Sequence, residues 1–399
     1  MDRSKRWQAM DTYSSLTGGR IGVAVIGFGW MGKVHARAYL RLPHHYPDLA
    51  LRADLIAVAD DLPGRAEAAA DQYGFATATS DWREIAADPR VRAVSITTPN
   101  FLHRQIGTAM ADAGKHLWIE KPVGLTSDDA MAVAAAAAST GVQSAVGFNY
   151  RDPPAVDAAR ELISGGAIGQ VTHARFRFFS DYAAHPQSAL TWRFRRDGGG
   201  NGVLGDLASH AIDLARFLVG EISSVAADTA VFVRTRAMPT TATTGHMRAT
   251  GRPGQVENED YVSCLVRFAS GARGVIEACR VAVGEQNSYG FEIHGRSGAL
   301  WWDFRRMGEL LICRGDDYQD VPTRMVRVGP SHGDYASFQP GAATAMSYDD
   351  LKVIEASRFF RSIAEGRACG AVLADAVQAA AVLDAISRSA KEGSWAGVA

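Results

Sequence analysis

Through roughly the first 150 positions, apolar residues fall in short unbroken runs, each followed by a helical repeat of apolar and polar positions. Ile21–Ile26 is one such run and ends in Gly27. A run this short and this continuous predicts a strand buried on both faces. The pattern then predicts a helix over Met31–Leu42, with Pro43 and Pro47 punctuating a loop that carries His44 and His45. A strand over Leu55–Ala59 and a helix over Arg65–Tyr73, closed by Gly74, come next. They are followed by a strand over Val94–Thr97, a helix over Phe101–Ala113 closed by Gly114, and a strand over His116–Ile119. An alanine-rich helix to Ser139 leads to a fifth strand over Gln143–Gly147. Strands alternating with helices predict an α/β N-terminal domain of the Rossmann type, a doubly wound parallel sheet, over 20–149.

After Arg151 the pattern changes. Helices are predicted over Ala155–Ser164 and Leu204–Val219. Strands follow over Val225–Arg234, Tyr261–Phe268, Ala272–Val281, Phe291–His294, Leu300–Phe304 and Leu310–Cys313, with little helix between them. Such spacing predicts an α+β C-terminal domain, 150–399, with a mostly antiparallel sheet. Two helices close the chain, Asp349–Glu365 before Gly366 and Ala374–Lys391 before Gly393. Residues 238–258 have no apolar period and are expected to form a long functional or disordered loop. Residues 1–19 are expected to be a flexible extension.

Composition narrows the class. Of 399 residues, 47% are hydrophobic and 21% charged, as in a globular protein. Lys plus Arg is 42 against 43 Asp plus Glu, a net charge of −1, so no basic surplus exists to neutralise a nucleic acid. Cys264, Cys279, Cys313 and Cys369 form no C-x-x-C pair, which rejects zinc-ribbon and thioredoxin-like readings. No apolar run reaches the roughly 18 residues of a membrane span, and the N-terminus has no signal-type apolar segment. A cytoplasmic protein without membrane or nucleic-acid partners is expected.

Gly27-Phe28-Gly29-Trp30-Met31-Gly32 fits G-x-G-x-x-G between a predicted strand and a helix, the context a dinucleotide site needs. Gly27 would make the tight turn, Gly29 would admit the pyrophosphate, and Gly32 would let helix and strand pack closely. Asp60, at the end of the second strand, would accept the adenosine ribose hydroxyls. With Asp61 it would repel a ribose 2′-phosphate, which favours NAD over NADP; Arg65, one turn on, argues the other way.

Two constellations carry candidate chemistry. Glu120-Lys121-Pro122 follows the fourth predicted strand, at the sheet edge where ligands bind in such folds. Asp206 and His210 are four apart on a predicted helix, so the carboxylate would orient an imidazole able to exchange a proton near neutral pH. Free lysine titrates near 10.4 and histidine near 6.5, and the sequence leaves open which of Lys121 and His210 accepts the proton. A metal site would need a third ligand, and no H-E-x-x-H or H-x-H occurs, so none is expected.

The order of these motifs resembles the Gfo/Idh/MocA oxidoreductases. It is carried by the G-F-G-W-M-G turn, Thr98-Pro99-Asn100-Phe-Leu-His103, Ala113-Gly-Lys-His116, Glu120-Lys121-Pro122 and Asp206-x-x-x-His210. Gly147–Val156, Leu190–Phe194, Gly205–Glu221 and Phe291–Gly295 are most similar to the levoglucosan dehydrogenase and glycoside 3-dehydrogenase group. The resemblance implies an open sheet in the second domain, which would bind substrate and mediate oligomerisation, with the last helices packing back toward the first. It implies hydride transfer between NAD and a secondary hydroxyl or ketone of a sugar or glycoside, C3 of a pyranose being one position. Lys121, Asp206 and His210 would be catalytic. Phe28, Trp30, Met31, Thr98, Asn100, His103, Glu120, Lys121, Asn149, Trp192 and Arg193 would contact the cofactor. Asn149, Arg151 and the polar His332 would join Lys121, Asp206 and His210 at the substrate. A homodimer or homotetramer is expected. The alternatives are a cyclitol dehydrogenase or sugar ketoreductase, and a non-catalytic dinucleotide-binding regulator.

Overall fold

The computed structural model describes residues 19–240, 247–315 and 317–398. The expected extension therefore lies, apart from Gly19, outside the described residues. The chain divides into two units. The first holds the described residues up to Gly124, with Asp128–Asn149 and Ser347–Ala376; the second holds Leu125–Ser127, Tyr150–Met346 and the chain from Val377 on.

In the first unit the order is β1 (Gly19–Ile26), α1 (Trp30–His45), β2 (Leu51–Ala59), α2 (Arg65–Tyr73), β3 (Thr77–Thr79), α3 (Trp82–Ala87), β4 (Ala93–Ile96), α4 (Asn100–Asp112), β5 (His116–Ile119), α5 (Ser127–Thr140) and β6 (Ser144–Val146). The strands form one parallel sheet in the order β3-β2-β1-β4-β5-β6. The order reverses between β1 and β4, which opens a crevice at their carboxyl ends. Helices cover both faces of such a sheet, so Val23–Val25, Val94, Ile96 and Leu117–Ile119 are fully buried; this is why the strands read as unbroken apolar runs. The structure adds β3 and α3 to the five strands expected. It also extends α1 beyond Leu42, through Pro43, to His45. A proline in the last turn forfeits one backbone bond, and the Tyr46 N–H still closes that turn on the Leu42 carbonyl at 2.9 Å.

In the second unit α6 (Pro154–Ser164) leads to β7 (Val171–Phe179), and a π-helical turn, Leu204–Ala208, runs into α7 (Ser209–Val219). Then come β8 (Ile222–Ala230), the hairpin β9 (Thr235–Ala237) and β10 (Pro253–Gln255), β11 (Tyr261–Phe268), β12 (Arg273–Cys279), β13 (Ser288–Gly295), β14 (Gly298–Asp303), β15 (Glu309–Arg314) and β16 (Arg324–Arg327). The chain ends in α8 (Tyr348–Glu365), α9 (Leu373–Glu392) and β17 (Ala396–Gly397). The large sheet has nine strands, β16-β15-β14-β13-β7-β12-β11-β8-β17. Only β7 and β12 pair in parallel. Ala174, Phe176 and Phe178 of β7 point to its covered face, against which α7 packs. Three expectations are corrected. The strand β7 was not foreseen. The segment 238–258 is partly ordered by β9, β10 and a bridge from Arg248 to Ser188; its residues 241–246 lie outside the described ones. The helix expected over Leu204–Val219 begins as a π turn.

A chain of buried polar groups runs through the first unit. Tyr39 and the His35 Nδ1 meet Ser95 Oγ at 2.8 and 3.0 Å. His35 Nε2 meets Glu120 Oε1 at 3.0 Å, and the Lys352 ammonium, on α8, donates to the same oxygen at 2.5 Å and to Glu355 Oε1 at 3.0 Å. Trp118 Nε1 donates to Glu355 as well. His35, Glu120 and Glu355 hold ligand atoms within 4.8 Å of one another, a geometry that suits a metal ion. The Lys352 ammonium already bonds both carboxylates, so the cation of this cluster is built into the chain.

Burial pushes the His35 imidazole down to about 4 against the pull of Glu120, and it pushes His116 down to about 4 as well. His103 is lowered for the same reason. At these histidines the unfolded chain therefore binds more protons than the native one below pH 6.5, so they lower stability as pH drops from about 6.5 toward 4, with the raised Glu355 carboxyl offsetting part of the loss. Each fully shifted histidine is expected to contribute about 3 kcal/mol to that loss. Urea midpoints measured at intervals between pH 7.5 and pH 4.5 check this; a flat profile would contradict it.

Candidate active site

The glycine loop caps α1. Gly27 has φ of +86°, and a Cβ there would lie 2.9 Å from Thr98 N. A Cβ on Gly32 would come within 2.4 Å of the Gly27 carbonyl oxygen, so strand and helix approach only because both residues are glycine. A Cβ on Gly29, by contrast, would meet nothing within 4 Å. It faces the open space in front of the helix N-terminus, whose N–H groups and dipole favour an anion. Gly29 supplies no side-chain cap of its own.

Asp60 sits at the end of β2 and fixes this loop. Its Oδ2 accepts the Phe28 N–H at 2.6 Å, and its Oδ1 accepts the Leu62 N–H at 3.0 Å. Arg65 reaches Oδ2 at 3.4 Å and partly offsets the charge. The Phe28 ring is buried edge-on against Tyr73 and Phe75. Trp30 is 65% exposed and stacks on Tyr348 at 5.3 Å, while the Tyr348 hydroxyl faces the Met31 sulfur at 3.8 Å. Tyr348 went unnoticed in the sequence because it lies more than 300 positions from the loop it meets.

The carboxyl ends of β4, β5 and β6 supply the next layer. Asn100 opens α4. His103 is buried, and its ring nitrogens face the Pro122 and Thr98 carbonyls at 2.7 and 2.8 Å. It thus straps the turn that holds Lys121 to the turn after β4. The Glu120 carboxylate points inward to His35 and Lys352. Lys352 and His35 outweigh the effect of burial and hold its pKa well below the usual carboxylate range. Thr98 Oγ1 has no hydrogen-bond partner among the described residues, and the fully buried Asn149 carboxamide has only the Tyr348 hydroxyl near it, outside strict hydrogen-bond geometry. Buried polar groups left short of partners at a crevice are positions where a bound ligand or water can complete the hydrogen bonding. Together with the open face at Gly29, they fit a dinucleotide.

In the second unit, Asp206 stands in the π turn and His210 in the first turn of α7. His210 is buried in an aromatic box, edge-on to Tyr150 at 4.7 Å and 6.1 Å from Phe178, and its carbonyl accepts the Tyr289 hydroxyl at 3.0 Å. Asp206 accepts a hydrogen bond from the Tyr182 hydroxyl, a partner that its spacing from His210 did not reveal. Arg193 lies over the Trp192 ring at 4.3 Å, and the Arg193 carbonyl is pinned by Asn258 at 2.9 Å. Arg151 is buried and forked onto Asp213, with its Nε 2.7 Å from Oδ2. Its charge is matched there, so we read it as a strut for α7 instead of a sugar contact. His332 Nδ1 accepts the Gly329 N–H at 3.1 Å and closes its own turn.

The sheet order, the glycine loop and the orphaned groups define a dinucleotide-dependent oxidoreductase. Residues 21–148 match the oxidoreductase family with an NAD-binding Rossmann fold, and residues 156–301 match the GFO/IDH/MocA C-terminal domain. The chain is 39% identical to levoglucosan dehydrogenase from Pseudarthrobacter phenanthrenivorans, over 95% of this chain and 98% of that one. It is 32% identical to inositol 2-dehydrogenase from Rhizobium meliloti, over 86% of this chain and 97% of that one. A solved levoglucosan dehydrogenase in complex with NADH and levoglucosan superposes with a TM-score of 0.89 at 38% identity, covering 95% and 99% of the two chains. The protein belongs to the Gfo/Idh/MocA oxidoreductase family, and its cofactor is NAD. Among the described residues, no helix is long and apolar enough to cross a membrane.

Proposed function

We propose that this NAD-dependent sugar or polyol dehydrogenase oxidises a secondary hydroxyl of a pyranose-type sugar, with an anhydrosugar such as levoglucosan as the first candidate. The likeness to levoglucosan dehydrogenase across almost the whole of both chains carries the reading. Lys121, Asp206 and His210 are the acid–base groups. Bound NAD supplies the hydride acceptor. Thr98 and Asn149 offer it their unspent polar atoms, Asp60 the ribose contact, and Gly29 the approach to its phosphates. Lys121 or His210 takes the hydroxyl proton, and the other donates a hydrogen bond to the oxygen as charge builds on it. The test is NADH production from NAD with levoglucosan, related glycosides, and myo- and scyllo-inositol. Turnover confined to the inositols would favour the cyclitol reading, for which the inositol dehydrogenase relative speaks. Tight NADH binding without turnover of any polyol would favour a regulator.

Asp60 provides a second test. Asp60→Ser removes the acceptor for the ribose and for the Phe28 N–H, and it removes the charge that opposes a 2′-phosphate. NADH affinity is expected to fall about tenfold or more, and the preference for NAD over NADP is expected to shrink. Fluorescence titration with both reduced cofactors reads both effects.

Assembly into a homodimer or homotetramer, in the cytoplasm, completes the proposal. One cross-strand row of the large sheet runs Met325, Leu311, Trp301, Glu292, Arg175, Val275 and Leu265. Leu265 is 53% exposed, Met325 42% and Leu311 38%, so apolar side chains flank the charged Glu292 and Arg175 on a face suited to a second copy of the chain.

A further inference from the structure

We propose that Tyr182 is a positioning residue for the reaction: its hydroxyl donates to Asp206 and holds that carboxylate ionised and in one orientation, one turn before His210. The inference rests on Asp206 belonging to the acid–base machinery.

Three independent features of the second unit support it. The first is the backbone beneath Asp206. A π turn is an uncommon element that often marks a functional position, and here it is built on purpose-fitted contacts. The Glu259 carboxylate accepts the Leu204 N–H at 3.0 Å, and the Glu259 carbonyl accepts the Val203 N–H at 2.9 Å. A Cβ on Gly202 would stand 2.2 Å from that carbonyl oxygen, so only glycine admits the approach. Ser209 Oγ closes the turn on the Gly205 carbonyl at 2.8 Å. The Asp206 main chain is therefore set from below, which leaves the carboxylate to be set from the side.

The second is that Tyr182 is anchored without help from Asp206. Its ring packs on the cluster of Ala183, Leu190, Phe194 and Val256. The next residue ties back to the sheet, Ala183 N–H to the Arg280 carbonyl at 3.0 Å, and the Ala184 N–H closes the turn on Asp181 at 2.8 Å. The phenol is a fixed donor, so its hydrogen bond imposes a direction instead of following one.

The third is charge. Burial, and after it the Asp206 charge, push the Tyr182 phenol well above its ordinary value, with the Arg280 and Arg193 guanidiniums acting in the opposite sense. Tyr182 stays a donor across the working pH range. Arg280 is itself engaged by Asp260 at 2.8 Å and by Asn258 at 2.9 Å. The charges acting on Tyr182 thus include the Asp206 carboxylate, which accepts its hydrogen bond, and the Arg280, Arg193 and Arg236 guanidiniums. A hydrogen bond donated to the charged form of a carboxylate favours that form.

The experiment is steady-state kinetics of Tyr182→Phe, Asp206→Asn and the double variant with NAD and the most active sugar from the panel above, alongside NADH titration and thermal melting. Phenylalanine keeps the ring and its packing, so the fold and NADH affinity are expected to stay at parent values. Loss of a hydrogen bond to a charged group predicts a fall in kcat of about tenfold or more. The acid limb of the kcat profile is expected to move to higher pH, because the carboxylate loses a contact that favours ionisation. If Tyr182 acts through Asp206, the double variant is no slower than Asp206→Asn alone. A slow Asp206→Asn beside a Tyr182→Phe with parent kcat and an unmoved acid limb overturns the Tyr182 proposal and leaves the acid–base reading standing. A raised KM with unchanged kcat overturns it too, since that marks a simple substrate contact. An Asp206→Asn variant with parent kcat defeats the acid–base reading and the Tyr182 proposal together.

Discussion

Lys121→Ala is expected to bind NADH as the parent does and to lose about 10²–10⁴ in kcat, the usual cost of deleting a positioned acid–base group. The separation of binding from turnover follows from where the residues lie. The groups that fit the dinucleotide are Asp60 at the end of β2, the open Gly29 face, and Thr98 and Asn149 beyond β4 and β6. None of these contacts uses the Lys121 side chain. The turn that carries Lys121 is held by its neighbours, by Glu120 through Lys352 and by the Pro122 carbonyl through His103. Alanine should therefore leave the backbone where it is and remove the ammonium with the aliphatic chain that carries it. Fluorescence titration with NADH and steady-state rates with the active sugar read the two halves separately. A variant with parent kcat would remove Lys121 from the machinery. A variant that loses NADH affinity to the same degree as turnover would make it a cofactor anchor.

The parts of this fold that could be read in advance are those whose information is local. The glycine loop is legible because a buried strand, three glycines and a helix start occur within a dozen residues; Gly27 and Gly32 each answer a close contact, and Gly29 leaves the helix N-terminus open. The strand β7 carried a local signal too. Ala174, Phe176 and Phe178 alternate with Arg175 and Arg177, the period of a half-buried strand, but the arginines mask it when only unbroken apolar runs are sought. The π turn was illegible because Leu204–Val219 satisfies a helical repeat; only the contact between Gly202 and the distant Glu259 distinguishes it. The same limit hides the pairing of Tyr182 with Asp206, and Tyr348 and Lys352 altogether. Lys352 reads as one more polar residue on a helix, and nothing nearby announces that it meets Glu120 across 232 positions. Ser347–Ala376 likewise groups with the unit that begins the chain, a long-range association that periodicity cannot display.

That long-range contact predicts the largest change in stability. Lys352 is fully buried, and its ammonium is, among the described residues, the cation bonded to both Glu120 and Glu355. Burial, the first cause that lowers the His35 imidazole, remains in the variant, so His35 is a poor substitute for the ammonium near neutral pH. Lys352→Met fits a side chain of similar length into the same space and leaves two buried carboxylates without a counter-charge. Breaking a buried pair from one side costs about 3–5 kcal/mol, which in a unit of this size lowers the melting temperature by on the order of 10 °C. The pH dependence identifies the cause. Burial already pushes the Glu355 carboxyl up, with Lys352 opposing it and the Glu120 charge adding to it. Without the lysine it rises further, so the variant gains a proton on folding and its deficit against the parent shrinks as pH falls from 8 toward 5. Lys352→Met combined with Glu355→Gln should recover much of the loss at pH 8, because it removes one of the stranded charges while keeping an acceptor for Trp118. Urea midpoints of the three proteins at both pH values measure this. A single variant as stable as the parent would mean that Glu120 and Glu355 share a proton without the lysine, and the Glu120–Lys121 turn would then owe its position to His35 and His103 alone.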